Sequence, residues 1–307
     1  MRCGQQLLIA GILLLNLPAL RGQRLLVDRG LQRPDGMAAE PDGGFLADRF
    51  TIGAKGEVWV IDRLRIWVRA AKDGGKIGDR LESVALFGGL EAAPAKPGEL
   101  ECDCHNLVAL ESAALREGSD IAEGSKVRIS RLEPAVWQLD FEDLNWSVPG
   151  GVAIQFGVSG RRRADAGAAK WSVYTVPAEA PHEIKLFDER GKLAGPYGKA
   201  GKDPAAGLAV QAWGHLPVAI DIEARAELLQ VKLAAAEALR VDPASLQFGP
   251  RGAAPVALHA EGTSLLMTFR AADTGIQPGD LNACLSGRRR DGVPFAGCDL
   301  LRKPARR

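Results

Sequence analysis

Apolar and polar residues alternate along this chain in short runs. Val136-Trp137-Gln138-Leu139-Asp140-Phe141 alternates well, and a second run, 152–158, follows the turn Pro149-Gly150-Gly151. Residues 58–61 lead through Asp62-Arg63 into Leu64-Arg65-Ile66-Trp67-Val68, and residues 84–87 end at Gly88-Gly89. Residues 127–129, 171–174, 184–187 and 208–213 complete the series. A period of two over about four to eight residues, rich in β-branched and aromatic types, is the pattern of a half-buried strand. Gly (36) and Pro (18) punctuate the chain throughout and cut it into short segments, as in sandwiches and barrels. All six Trp lie in or beside these runs, and the pattern predicts that they fill a core between two sheets.

One stretch carries two periods at once. Residues 223–240 are rich in Ala and Leu, and Leu228, Val231, Ala235 and Leu239 would share a helical face. Leu229, Val231 and Leu233 also alternate with Gln230 and Lys232, so both helix and strand stay open. The composition changes at residues 214–219. We therefore expect a first module over residues 25–216 and a second over 217–303.

The N-terminus reads as a secretory signal peptide over residues 1–22. Arg2 supplies the positive start, residues 7–17 an apolar core, and Ala19 and Gly22 the small residues before cleavage. That core is too short to span a bilayer, which takes about 20 residues. The expected mature chain is exported, secreted or periplasmic, with no membrane span. Removing Arg2 and Arg21 with no acid turns the formal charge of +1 into −1. Such a balance gives no basic footprint for nucleic acid. The runs Arg161–Arg163 and Arg288–Arg290 read as solvated turn tips.

Of five Cys, Cys3 leaves with the signal and four remain. An even count in an oxidising compartment suggests disulfides. Cys284 and Cys298 flank a turn-rich loop with Gly287, Asp291-Gly292 and Pro294, so a hairpin would bring them within bonding distance. A bridge from either of them to Cys102 or Cys104 would instead require the modules to dock tightly. Cys102, Cys104 and His105 lie in one loop. A Cys102–Cys104 disulfide, free thiols and a metal site all stay open there, although zinc prefers wider Cys spacing.

The second half resembles a small extracellular β-module found near the C-termini of many secreted bacterial proteins. Ile220-Asp221-Ile222, VDPASLQFGP (241–250), FRAADTGI (269–276), ACLSG (283–287) and GCD (297–299) carry the likeness, in order. It implies an Ig-like or related sandwich and favours strand for residues 228–233. Where such modules often have an Asp/Gly-rich cation turn, this chain has Leu258-His259-Ala260-Glu261-Gly262-Thr263. The first half is similar, through FLADRFTI (45–52), VWVIDRLRIW (58–67), VWQLDF (136–141) and VPGGVAIQFGVSG (148–160), to a second kind of secreted bacterial domain, which implies a jelly-roll-like sandwich. The fold class expected is all-β, a jelly-roll-like β-sandwich followed by a smaller Ig-like one. The resemblance of the first half brings no catalytic residues.

Catalytic spacings are absent: there is no Gly-x-Ser-x-Gly, P-loop or dinucleotide fingerprint, and His105, His182, His215 and His259 fit no metalloprotease pattern. Asp48, Asp62, Asp79, Asp140 and Asp143 would supply a glycosidase pair only if two converged. Trp146, Trp171, Tyr174 and Tyr197 lie beside turns and are the candidates for a sugar platform, against the alternative that they pack the core. Asn145-Trp146-Ser147 is an N-glycosylation sequon. The sequence thus favours a non-catalytic extracellular interaction or structural protein, without cofactor, whose partner is an extracellular ligand or cell-surface component. The alternative is a secreted carbohydrate-active enzyme or its accessory domain.

Overall fold

The structure is a computed structural model that describes residues 23–31, 38–39, 44–70, 75–90, 107–124, 126–164, 171–177, 184–187, 193–196, 206–225, 227–234, 238, 240–277 and 280–301. The expected signal segment, Cys102, Cys104, His105, His182 and Tyr197 lie outside these residues.

The fold is all-β. In chain order the strands of the first half are β1 (Arg24–Arg29), β2 (Ala38–Ala39), β3 (Phe45–Thr51), β4 (Val58–Ala70), β5 (Leu81–Leu90), β6 (Val108–Leu115), β7 (Ala122–Glu123) and β8 (Val127–Glu133). Then come β9 (Val136–Phe141), β10 (Trp146–Pro149), β11 (Ala153–Arg162), β12 (Trp171–Pro177), β13 (Lys185–Phe187), β14 (Leu193–Pro196), β15 (Ala206–Leu208) and β16 (Val210–Pro217). The rest are β17 (Ile220–Arg225), β18 (Leu228–Leu233), β19 (Gln247–Phe248), β20 (Ala257–Glu261), β21 (Ser264–Arg270), β22 (Asn282–Arg288) and β23 (Pro294–Leu300). No helix of the described residues is long and apolar enough to cross a membrane.

Strand β4 organises the first half. It pairs along one edge with β16 and then β12, and along the other with β10 and then β9. Trp59, Ile61, Leu64, Ile66 and Val68 point inward and are buried. They face a second sheet, ordered β14-β13-β3-β11-β5-β6-β7. Ile154, Phe156 and Val158 of β11, with Leu46 and Phe50 of β3, supply its inner side. Four of the six Trp, at 59, 137, 146 and 171, belong to this continuous core.

One polar group is placed between the sheets on purpose of geometry rather than by default. Asp48 sits on β3 among apolar neighbours, and its side chain is fully buried. It accepts hydrogen bonds from the Leu208 and Arg49 amides at 2.7 and 2.6 Å and pairs with Arg29 at 3.0 Å. It therefore ties β3 to β15 and β1 of the facing sheet, with the charge compensated as burial demands.

Within 223–240, residues 223–225 and 228–233 are strand, while Ala238 is helical. Leu229, Val231 and Leu233 of β18 are buried, while Leu228 and Lys232 are exposed, the alternation of a half-buried strand. Helix propensity is outweighed because β18 finds partners on both edges, β17 and β21. The four-stranded sheet β17-β18-β21-β20 packs against β19, β22 and β23, with the Phe248 and Phe269 rings stacked 4.8 Å apart. The VDPASLQFGP and FRAADTGI strings meet here. Asp242 caps the turn Pro243–Ser245, and the Arg251 amide donates to the Thr274 carbonyl at 2.9 Å. Gly249, at φ +72°, lies so close that a Cβ would sit 2.6 Å from that same carbonyl oxygen. Cys284 and Cys298 face each other across β22 and β23 and form a disulfide.

The two halves are joined by more than a linker. The end of β16 pairs in parallel with β23, Leu216 opposite Phe295, and the Val218 amide donates to the Ala296 carbonyl at 2.8 Å. Buried side chains run without a break from the first half through Leu216 to Phe295, Leu285 and Phe248. The tight docking that a bridge between the halves would require is thus present, although the disulfide stays within the second half.

Gly297 sits at this seam. A Cβ there would lie 2.1 Å from the Val218 carbonyl oxygen, which is backbone and cannot swing aside. Gly297→Ala is expected to lower stability by about 1–3 kcal/mol, the usual range for overpacking. Urea unfolding of the full chain checks this, and an unchanged midpoint would remove the close approach.

Candidate functional site

The outer face of the β4 sheet holds the densest polar chemistry among the described residues. It is built by a bulge. Between Trp213 opposite Arg63 and Gly214 opposite Ile61 the register slips, leaving Asp62 as the extra residue of β4. On the other edge β4 changes partner at the same place, from β10 ending at Ile61 to β9 beginning at Leu64. Two consecutive side chains, Asp62 and Arg63, are thereby turned away from the core. Gly214 permits the slip, since a Cβ there would meet the Val60 carbonyl oxygen at 2.1 Å.

Asp62 takes His215, with Oδ2 2.7 Å from Nδ1, and both side chains are largely buried. Three residues on, Arg65 donates twice to Asp140, Nε to Oδ1 at 2.7 Å and Nη2 to Oδ2 at 3.1 Å. Gln138 adds a third hydrogen bond to Asp140, at 2.7 Å. Arg128 pairs with Glu142 at 3.0 Å, and Gln211 donates to Asp28 at 2.8 Å. The half-buried Trp213 lies under the Arg63 guanidinium, whose carbon is 3.6 Å from the indole centroid, with that of Arg65 at 5.1 Å. Cation–π contact of this kind fixes a guanidinium in direction. Burial pushes the Arg63 guanidinium down from its usual value, against the opposing pull of Asp140.

The acids singled out from the sequence do not form an exposed pair. Asp48 is locked between the sheets, Asp62 is held by His215 and Asp140 by Arg65. Asp79 accepts from the Lys76 and Gly118 amides, both at 2.9 Å, and so fastens a loop. Asp143 lies in a turn at φ +51°. Each bonded carboxylate is a separate tie point, and no two of these acids flank one open space as a glycosidase pair does. Elsewhere donors hold three acids below their usual range. The Ala54 amide and the Trp59 indole hold Glu57 below the usual carboxylate range. Burial raises Asp120, but donors from Ile77, Trp137 and Lys76 together outweigh it and hold it low. Lys232 does the same for Glu261.

The ring candidates need correction. Trp146, Trp171 and Tyr174 are 9%, 2% and 1% exposed, so none offers a free face to a sugar. Trp146 and Trp171 point into the main core. Tyr174 packs with Trp67, Val136, Val176 and Ala209 in a smaller cluster. Among the described residues the half-buried rings are Phe45, Phe87 and Trp213. Phe45 stacks on Phe87 and Phe187 at 5.2 and 4.7 Å on the other sheet, where Gly157 leaves room for the Phe45 ring. The basic runs are not simple turn tips either. Arg161 and Arg162 end β11, with Arg161 paired to Glu82. Arg163 turns inward and donates to the Gly78 and Leu115 carbonyls at 2.6 and 2.7 Å. Arg288 ends β22, and Arg290 donates to the Val241 carbonyl at 3.4 Å. No group of three or more His, Cys, Asp or Glu among the described residues is placed to hold a metal.

No protein-family profile matches this chain. No curated protein matches it either. Among solved structures, one named as a membrane-anchored protein of Corynebacterium diphtheriae aligns over 92% of this chain and 53% of its own length. The identity is 9% and the TM-score 0.17. The chain spans about half of that structure, and a likeness at this level carries no argument.

Asp120 offers a test of the donor-saturated acids. Its Oδ1 accepts from the Ile77 amide and the Trp137 indole, both at 2.9 Å. A folded-state value below the unfolded one, near 3.8, means that its contribution is present above the unfolded value. That contribution is lost as pH falls through the folded value. Asp120→Asn is expected to cost about 1 kcal/mol at neutral pH, and less in acid where the wild-type group is itself protonated. Urea unfolding across pH reads the difference, and a cost that does not shrink in acid contradicts it.

Proposed function

We propose that this chain is an exported, non-catalytic interaction or structural protein, and that its first module presents the outer face of the β4 sheet to an extracellular ligand or cell-surface component. The observation that carries the reading is the state of the acids. Asp48, Asp62, Asp79 and Asp140 are each engaged by amide, guanidinium or imidazole groups that hold strands and loops together. Hydrolysis of a glycoside needs two carboxyl groups flanking one bond, one of them able to hold a proton at neutral pH. A face of antiparallel strands carrying fixed Arg, Trp and Gln side chains suits recognition instead.

Export is supported by the signal-like residues 1–22 and by the Cys284–Cys298 disulfide, which favours an oxidising compartment. The resemblance of both halves to modules of secreted bacterial proteins points the same way. On this reading the second module is a β-module of that secreted kind, and its strand β23 serves to brace β16.

Incubation of the purified protein with a panel of glycans, esters and peptides tests the absence of catalysis. No hydrolysis is expected from the wild type. Turnover abolished by Asp62→Asn, Asp140→Asn or His215→Gln would establish the alternative, a secreted carbohydrate-active enzyme.

A further inference from the structure

We propose that the outer face of the β4 sheet binds an acidic saccharide, and that a sugar carboxylate seats against the guanidinium of Arg63. The proposal rests on the reading of this chain as a binding protein and names the ligand class of that face.

Arg63 differs from Arg65 and Arg128 on the same face. Arg65 is neutralised by Asp140 and Arg128 by Glu142. Among the described residues Arg63 makes no ion pair, and its Nε is buried with no hydrogen-bond partner. The side chain is half-buried, so the cation is partly stripped of water and has no counter-charge in contact. Proteins leave a dehydrated charge unpaired only at a cost, and an incoming anion relieves it. The group is also preorganised, because stacking on Trp213 at 3.6 Å fixes its plane. A ligand therefore meets a guanidinium that has already lost its rotamer freedom. A planar fork of N–H donors matches a carboxylate at two points.

The surroundings choose among anions. Asp28, Asp140 and Glu142 lie on the same face, and each carboxylate keeps acceptor capacity beyond the bonds already made. Asp28, whose partner is the neutral Gln211 amide, and the acids already paired with Arg65 and Arg128 leave the face without the excess positive charge that a densely charged phosphate chain needs. They accept hydrogen bonds from hydroxyl groups. A ligand with spaced carboxylates among many hydroxyls satisfies both features, which is the chemistry of a uronate-containing saccharide. His215 borders the face through its pair with Asp62, and Gln138 and Gln211 spend their amides on Asp140 and Asp28. Arg63 is thus a half-buried cation of the face that enters no ion pair among the described residues, whereas Arg69 on the same strand is exposed to water.

Titration of the full chain with trigalacturonate, followed by calorimetry and by Trp fluorescence, tests this. The wild type is expected to bind it and to bind the neutral trisaccharide, inorganic phosphate and triglutamate at least about tenfold more weakly, as loss of one charge-assisted pair predicts. Arg63→Gln should weaken trigalacturonate binding by about tenfold or more, with Arg63→Lys in between because it keeps charge without the fork. Far-ultraviolet circular dichroism of each variant confirms that it is folded. Absent binding by the wild type, an Arg63→Gln variant that binds as well, or equal binding of the neutral sugar overturns the proposal. Equal binding of triglutamate overturns it in favour of an acidic protein partner. Mass spectrometry of the titrated sugar keeps the two readings apart. Cleaved trigalacturonate defeats the non-catalytic reading, whereas intact sugar that does not bind defeats only the ligand assignment.

Discussion

Backbone pairing along β4 is the constraint on which the first half depends. A long strand inside a folded protein must find partners for its amides and carbonyls on both edges. β4 finds four, β10 and β9 on one side and β16 and β12 on the other. Its inner side chains fill the core, and its outer ones, from Asp62 to Trp67, form the polar face and the start of the smaller apolar cluster. The bulge at Asp62 is where these roles meet. It sets the change from β10 to β9 on one edge level with the register slip against β16 on the other, and it turns an acid and a base outward together.

The same economy of strands joins the halves. β16 spends its first residues between β1 and β4 and its last on β23. The candidate face therefore stands on a strand held from both halves of the chain. Gly214 and Gly297 mark the two tight places along this path, each close against a carbonyl oxygen of a neighbouring segment. A site on such a frame keeps its geometry without a ligand, which the stacking of Arg63 on Trp213 also requires.

Much of the fold was legible from alternation. The runs at 136–141 and 171–174 lie in strands, 208–213 is divided at Ala209 between β15 and β16, and the hairpin that brings Cys284 to Cys298 follows from its turn residues. The pattern in 223–240 was ambiguous because a period of two and a period near three and a half share Val231. Backbone partners on both sides of β18 resolve it, and no local signal contains them. The site was less legible. Whether Trp171 or Trp213 is accessible depends on which face each occupies and what covers it, a property of register and not of neighbouring turns. The polar face also gathers residues from 28, 62–65, 128–142 and 211–215, which only the pairing brings together. The signal for it in the chain is Asp62-Arg63-x-Arg65, charges set inside an apolar run.

The central claim is that both halves form one body through β16. Native-state hydrogen exchange of the full chain in rising denaturant tests it most directly, because it reads the opening energy of each strand separately. The account predicts that amides of β4, β16 and β18, and that of Val218 bonded to Ala296, converge on a single opening energy. Exchange of Val218 and β18 through a lower-energy opening that leaves β4 and β16 protected would contradict it.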